Sequence, residues 1–152
     1  MDAAALTGIG VAVGVLVAAT AVGLWWRARD GRPRRPAAHR GDPPVDPALL
    51  AALGADTGAP VTLLQFSSAF CAPCRATRRI CADVADMLDG VRHVEVDAES
   101  HLDAVRALDI WRTPTVLVLD STGRIVRRAV GAPTKARVVA AVAPLLTAGV
   151  RP

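Results

Sequence analysis

The residues best suited to chemistry are the two cysteines of Phe70-Cys71-Ala72-Pro73-Cys74. On a helix, side chains three apart share a face, with Cβ atoms about 5–6 Å apart. A small local adjustment closes such a gap to a disulfide. The pair falls where a strand and loop pass into a helix, which puts Cys71 at the helix N-terminus. Unpaired N–H groups and the helix dipole favour a thiolate there, so the pKa of Cys71 should fall. Pro73 stiffens the turn and removes one competing N–H. Arg75, Arg78 and Arg79 add positive potential nearby. The chemistry is thiol–disulfide exchange, with Cys71 as nucleophile and Cys74 as the resolving thiol.

A CxxC is also half of a zinc site. A structural zinc needs four ligands, and Cys81, His93 and His101 supply no second pair at close spacing, so no metal is expected. Cys81 lies seven residues past Cys74. That is about 10 Å along a helix axis, beyond the roughly 7 Å Cα limit for a disulfide. It reads as a small buried hydrophobe, with a redox-regulatory thiol as the alternative.

The elements that must position the pair follow from pattern. Asp46-Pro47 reads as N-cap and first residue of a short helix through Leu53, stopped by Gly54. Val61 to Ser67 is a short apolar strand. Cys71 to Leu88 has helical spacing, with Cys74, Ile80, Cys81, Val84 and Leu88 on one face and Gly90 closing it. Val91 to Val96 alternates, as a half-buried strand does. Ser100 to Leu108 is a helix, with Ser100 and Asp103 as its capping signal. Thr115 to Leu119 is a fully buried strand. Ser121-Thr122-Gly123 turns it into a returning strand, Arg124 to Val130. Thr134 to Leu146 is the last helix, where Pro144 is expected to kink or shorten it. The order β-α-β-α-β-β-α makes an α/β fold.

The 152 residues are room for one domain, with 52% hydrophobic and 3% aromatic content and a net charge of +4. Neither the hydrophobicity nor the charge is evenly spread. Ala3 to Trp26 is an uncharged run of 24 residues. As a helix it is about 36 Å long, enough for a hydrocarbon core of about 30 Å. A cleaved signal peptide would want a basic start and a shorter apolar stretch, and a core helix would want a polar face. The run therefore reads as a membrane span over residues 3–26, ending in Trp25-Trp26 at the interface. Gly10 and Gly14 form a GxxxG that permits close helix approach. Residues 27–40 hold six Arg against Asp30, a net +5, while residues 41–152 sum to zero. Basic residues stay on the cytoplasmic side, so the N-terminus is expected outside and the rest in the cytoplasm. Five prolines from Pro33 to Pro47 make this stretch an extended tether. With so few aromatics and a neutral domain, no nucleic-acid partner is expected.

From Val61 to about Leu146 the chain resembles thioredoxin. The resemblance rests on FCAPC (Phe70 to Cys74), VDAE (Val96 to Glu99), RTPT (Arg112 to Thr115) and VGA (Val130 to Ala132), in that order. It implies a thioredoxin-like fold, a mixed four-stranded central sheet flanked by helices, here preceded by one transmembrane helix. The parts are residues 1–26, the span; 27–45, the Arg/Pro-rich linker; and 46–152, the thioredoxin-like domain. It also implies a cis Thr113-Pro114 peptide shaping a substrate groove that Gly131 borders. Read plainly, Pro114 is a strand-initiating proline. Trp111 should lie near this surface, as an apolar contact for partners or as packing.

Three departures from the family matter. Phe70 stands where the family usually has Trp, Ala72 where it has Gly, and Gln65 where it has a buried Asp that assists deprotonation of the resolving thiol. Gln65 cannot take a proton at neutral pH. His93 stands where the family often has Lys, and His93 or water would take the role; His93 otherwise reads as a half-exposed strand residue. The expected function is a membrane-tethered reductase of protein disulfides, resupplied by a thioredoxin-reductase-like electron donor, with no cofactor beyond the Cys71–Cys74 dithiol. The alternatives are an extracytoplasmic relative serving cytochrome c maturation or disulfide exchange, and a non-catalytic adaptor.

Overall fold

The computed structural model describes residues 3–29, 44–55 and 58–148. These fall into two units, residues 1–30 and 31–152. The first is a single α-helix, α1 (Ala3–Arg29). It continues past the expected end at Trp26, since Arg and Ala are good helix formers and the first proline is four residues further on. Thr20 spends its hydroxyl on the Leu16 carbonyl at 2.8 Å, so a polar side chain sits in the apolar run without a free donor. Val13, Leu16, Val22 and Trp25 are all more than half exposed. Side chains are described without interruption over residues 12–25, about 21 Å of helix. Among the described residues no helix is long and apolar enough to cross a membrane. The span expected over residues 3–26 is therefore not shown, and most of the linker, residues 30–43, lies outside the described residues.

The second unit is built on a four-stranded sheet in the order β2-β1-β3-β4. The strands are β1 (Val61–Ser67), β2 (Val91–Asp97), β3 (Thr115–Asp120) and β4 (Ile125–Val130). β2 runs parallel to β1, while β3 is antiparallel to both β1 and β4. The helices are α2 (Pro47–Ala52), α3 (Ala72–Met87), α4 (Leu102–Ala107) and α5 (Lys135–Ala148). The mixed sheet flanked by helices is the fold class expected.

Alternation along the strands divides the core in two. Leu64, Phe66, Val96, Leu117 and Leu119 pack with Leu50 of α2 and Ala104 of α4. Val61, Leu63, Val91, Val116 and Val118 pack on the opposite face with Cys81 and Val84 of α3 and Val138 and Val142 of α5. Asp46 caps α2 as expected, its Oδ1 accepting the Ala48 N–H at 2.9 Å. Gly90 ends the α3–β2 turn at φ 85°, and a Cβ there would meet Pro60 at 3.2 Å.

Two expectations need correction. Ser100 does not cap α4: its hydroxyl is donated to Asp97, and the helix begins at Leu102 behind His101, which makes no side-chain cap. The nearby carboxylate outcompetes the weaker backbone cap. Pro144 does not shorten α5, which runs on to Ala148.

Candidate active site

β1 ends at Ser67, and a short loop carries the chain to Cys71, the N-cap of α3. Cys71 and Cys74 are joined as a disulfide, with Cα atoms 5.2 Å apart. The two sulfurs are not equivalent. Cys71 is partly exposed, whereas Cys74 is 2% exposed. The Cys71 Sγ accepts the backbone N–H of Cys74 at 3.1 Å, so the open end of α3 points a donor at the more accessible sulfur. The same bond and the helix dipole stabilise a thiolate there once the disulfide is opened. Pro73 has no N–H to compete, which leaves the Cys74 amide as the donor in place.

Gln65, fully buried, lies beneath the pair. Its Nε2 donates to the Cys74 carbonyl at 3.1 Å and to the Ser67 hydroxyl at 2.7 Å. A carbonyl can only accept, so the amide orientation is set, and Oε1 faces His93 Nε2 at 3.2 Å. His93 must therefore donate through Nε2, which leaves that nitrogen no lone pair for a thiol proton. Ser67 in turn hydrogen-bonds Glu95. The result is a one-way chain of donors from His93 through Gln65 and Ser67 to the Glu95 carboxylate, with a side branch to Cys74.

Glu95 is also held by Arg78, whose Nη2 lies 2.9 Å from Oε1 and whose Nε meets the other oxygen. Burial pushes the Glu95 pKa up, but the hydrogen bonds from Arg78 and Ser67 and the Arg78 charge outweigh it, and the carboxyl stays below its usual range. Burial pushes the His93 pKa down; the Glu95 charge pulls the other way and the Arg78 charge adds to the lowering, so the ring is held neutral. Because Arg78 is paired with Glu95, its charge adds little net potential at the dithiol. Arg75 remains on the wall of an open depression of about 500 Å³ that reaches Cys71 and Cys74 and includes Arg78, Glu95 and Asp97.

On the other side, Thr113-Pro114 is a cis peptide and Pro114 is buried. Gly131, at φ 86°, donates its N–H to the Pro114 carbonyl at 2.8 Å. The Thr113 and Ser68 hydroxyls meet at 3.1 Å and tie this loop to the one leading into Cys71. Phe70 is 98% exposed and Trp111 87% exposed.

The structure thus gathers Gln65, Phe70, Cys71, Ala72, Pro73, Cys74 and His93, and joins Thr113, Pro114 and Gly131 to them across the Ser68 contact. Cys81 is apart, fully buried in the apolar core, where burial above all and then the Glu95 charge push its thiol up to about 12. Sequence reasoning missed Ser67, Arg78 as an ion-pair partner, and Glu95. The signal for them was the register Gln65↔Glu95 between parallel strands, which alternation alone does not reveal. Among the described residues no three His, Cys, Asp or Glu side chains cluster as a metal would require.

Comparison with known proteins agrees with this geometry. The chain is 29% identical over 77 residues to thioredoxin of Mycoplasma genitalium, covering 51% of this chain and 74% of that one. Its fold is similar to the reduced thioredoxin pre-protein of Schistosoma mansoni, with a TM-score of 0.55 and 22% identity over 66% of this chain and 91% of the other. It is also similar to a variant thioredoxin of Halobacterium salinarum, with a TM-score of 0.52 and 18% identity over 59% and 75% of the two chains. The family model for thioredoxin matches residues 55–144, more than half the chain, and the chain belongs to the thioredoxin family.

Proposed function

We propose that the protein reduces protein disulfides through Cys71 and Cys74, with α1 tethering the domain to a membrane. The supporting observation is the asymmetry of the pair: the accessible sulfur is the one that receives the helix N–H. The Cys71 thiolate attacks a substrate disulfide, forming a mixed disulfide and releasing the first substrate thiolate. The Cys74 thiol loses its proton, and its sulfur displaces the second substrate thiolate from Cys71. The protein is left with the Cys71–Cys74 disulfide, and the substrate has gained two electrons and two protons. With His93 Nε2 committed to Gln65, solvent in the depression beside Cys74 takes the resolving proton. A thioredoxin-reductase-like donor then returns two electrons.

The tether reading is supported by an uncharged 24-residue run within one continuous helix whose described apolar side chains are exposed. The six arginines of residues 27–40 support a cytoplasmic side for the dithiol domain by the positive-inside rule. Disulfide reduction by the full chain, with Cys71→Ser as control, tests the chemistry. Turnover that survives Cys71→Ser refutes it. Protease digestion of intact cells tests the side. Cleavage of the domain from outside would favour the extracytoplasmic reading.

A further inference from the structure

The loop from β1 to the dithiol begins Ser67-Ser68-Ala69, three small side chains, and leaves the depression beside it open down to Cys74. Helical and strand spacing set charges against each other across that depression. Arg75 and Arg78, three apart on α3, share a face. Glu95 and Asp97, two apart on β2, share the face that lines the opposite wall. The two levels differ. At the deeper one, Arg78 and Glu95 close on each other. At the level of the dithiol, where Asp97 stands in register with Ser67, no such pair forms. Asp97 instead accepts the Glu99 N–H and the Ser100 hydroxyl, which hold its carboxyl below the usual range, and it stays exposed. Among the described residues Arg75 has no acidic partner and no side-chain hydrogen bond. An uncommitted guanidinium and an accessible carboxylate therefore line one depression with Cys71.

Opposite charges left open on walls shared with a reactive sulfur suit a substrate that brings both counter-charges with it. We propose that the depression is a subsite for an amino-acid disulfide of the cystine type, its carboxylate on Arg75, its ammonium on Asp97 and its sulfur on Cys71. In free cysteine both charges sit on the carbon two bonds from sulfur. In a protein chain the same positions are peptide bonds and carry no charge, so the open charges single out the free amino acid. A depression of about 500 Å³ falls within the range of small-ligand sites, about 300–1,000 Å³. The inference rests on the dithiol chemistry proposed above and adds a second substrate class to it. The Cys71 thiolate attacks one sulfur of the disulfide, and one cysteine leaves as its thiolate, which solvent protonates. The other stays on Cys71 until the Cys74 sulfur, having given its proton to solvent, displaces it. Two electrons pass from the dithiol, and two free cysteines and the Cys71–Cys74 disulfide remain.

The test mixes the full chain, reduced, with four small disulfides: L-cystine, cystamine (ammonium only), dithiodipropionate (carboxylate only) and the neutral 2-hydroxyethyl disulfide. Oxidation of the Cys71–Cys74 pair is followed by mass spectrometry after an acid quench. Each rate is divided by that of dithiothreitol with the same disulfide, which removes intrinsic reactivity. Cystine is expected to exceed 2-hydroxyethyl disulfide about tenfold, as two exposed charge contacts allow, with the singly charged disulfides between. The advantage should vanish at about 1 M salt, where screening reaches in to about 3 Å. Arg75→Gln should bring cystine down to the cystamine level. Asp97→Asn, which keeps an oxygen for the Glu99 N–H, should bring it down to the dithiodipropionate level. Arg75→Lys keeps the charge and should keep most of the advantage. An advantage that survives Arg75→Gln or Asp97→Asn overturns that residue's contact. Reduction of insulin with no cystine advantage overturns the subsite and leaves the protein-disulfide reading standing. Failure on insulin and on all four small disulfides overturns that reading, and the inference with it.

Discussion

The two faces of the sheet differ in kind. The face under α2 and α4 is apolar through its middle, where Leu64, Phe66, Val96, Leu117 and Leu119 are closed over by Leu50, Ala104 and Ile110, with the buried Thr62 and Thr115 at its two ends. The face under α3 and α5 is apolar only at its far end, where Val61, Leu63, Val116 and Val118 meet Cys81, Val84 and Val142. Along that same face, β1 continues into Gln65 and Ser67, and β2 into His93 and Glu95. The polar end lies under the dithiol. One face thus supplies stability with no chemical role, and the other grades from packing into a satisfied polar chain that supports a reactive pair. No buried side-chain nitrogen or oxygen among the described residues lacks a partner, which is what allows polar groups to sit so deep.

The largest effect comes from the apolar face. Phe66→Ala removes a fully buried ring at the centre of its cluster and is expected to cost about 3–5 kcal/mol, a large part of the roughly 5–15 kcal/mol typical of a domain. Thermal and urea unfolding measure it. The fraction that stays folded should resolve mixed disulfides at the wild-type rate, because nothing that touches Cys74 has changed.

Gln65→Leu is the matching break on the polar face. It leaves the His93 N–H without its acceptor and takes one donor each from the Cys74 carbonyl and from the Ser67 hydroxyl, which keeps its bond to Glu95. An unsatisfied buried group costs about 1–3 kcal/mol, and partial rewetting from the open depression should hold the total near 2–3 kcal/mol. Unlike Phe66→Ala, it should also slow resolution, because the carbonyl anchor of Cys74 is lost. Mixed disulfides on Cys71, counted by mass spectrometry after an acid quench, are expected to persist longer. Equal lifetimes in the two variants would erase the distinction between the faces.

The apolar face was legible in the sequence because alternation and helical spacing encode it residue by residue. VTLLQFS runs over the same seven residues in sequence and structure, and the start of α2 follows from Asp46-Pro47. The dithiol was legible because CAPC is local. The polar chain was not. It depends on which residue of β2 stands beside Gln65, and that register is set by contacts between strands whose sequences are far apart. His93 was visible as a titratable group on β2. Its role inverted once the Cys74 carbonyl fixed the Gln65 amide, turning a candidate acceptor into a donor. The Ser100 cap failed for a similar reason, since Asp97 offered the hydroxyl a better partner.

The polar face should also carry a pH signature that the apolar face lacks. Burial lowers the His93 pKa in the folded state, against the partial opposition of Glu95 and with the help of Arg78. In the unfolded chain the ring protonates near its usual value of about 6.5. Between the two values the unfolded state binds more protons, so stability is full above about pH 6.5 and is lost as pH falls toward the folded pKa. The Tm of the wild type is expected to fall between pH 7.5 and 5.5. In His93→Gln, which still offers an N–H to Gln65, the fall should be shallower. Parallel Tm curves for the two proteins would remove His93 as the source.

Cys81 marks where the second face changes character, and it predicts the smallest effect. It shares α3 and its inward side with Cys74, yet burial with help from Glu95 pushes its thiol up to about 12. A thiol that stays protonated is neither nucleophile nor metal ligand. In the reduced, folded protein at pH 8, iodoacetamide should modify Cys71 first and leave Cys81 untouched until urea is added. Cys81→Ala should cost about 1 kcal/mol as a small buried hydrophobe, with turnover unchanged. Native-state alkylation of Cys81 at a rate near that of Cys71 would mean that the polar end of the face reaches further down α3 than its packing indicates.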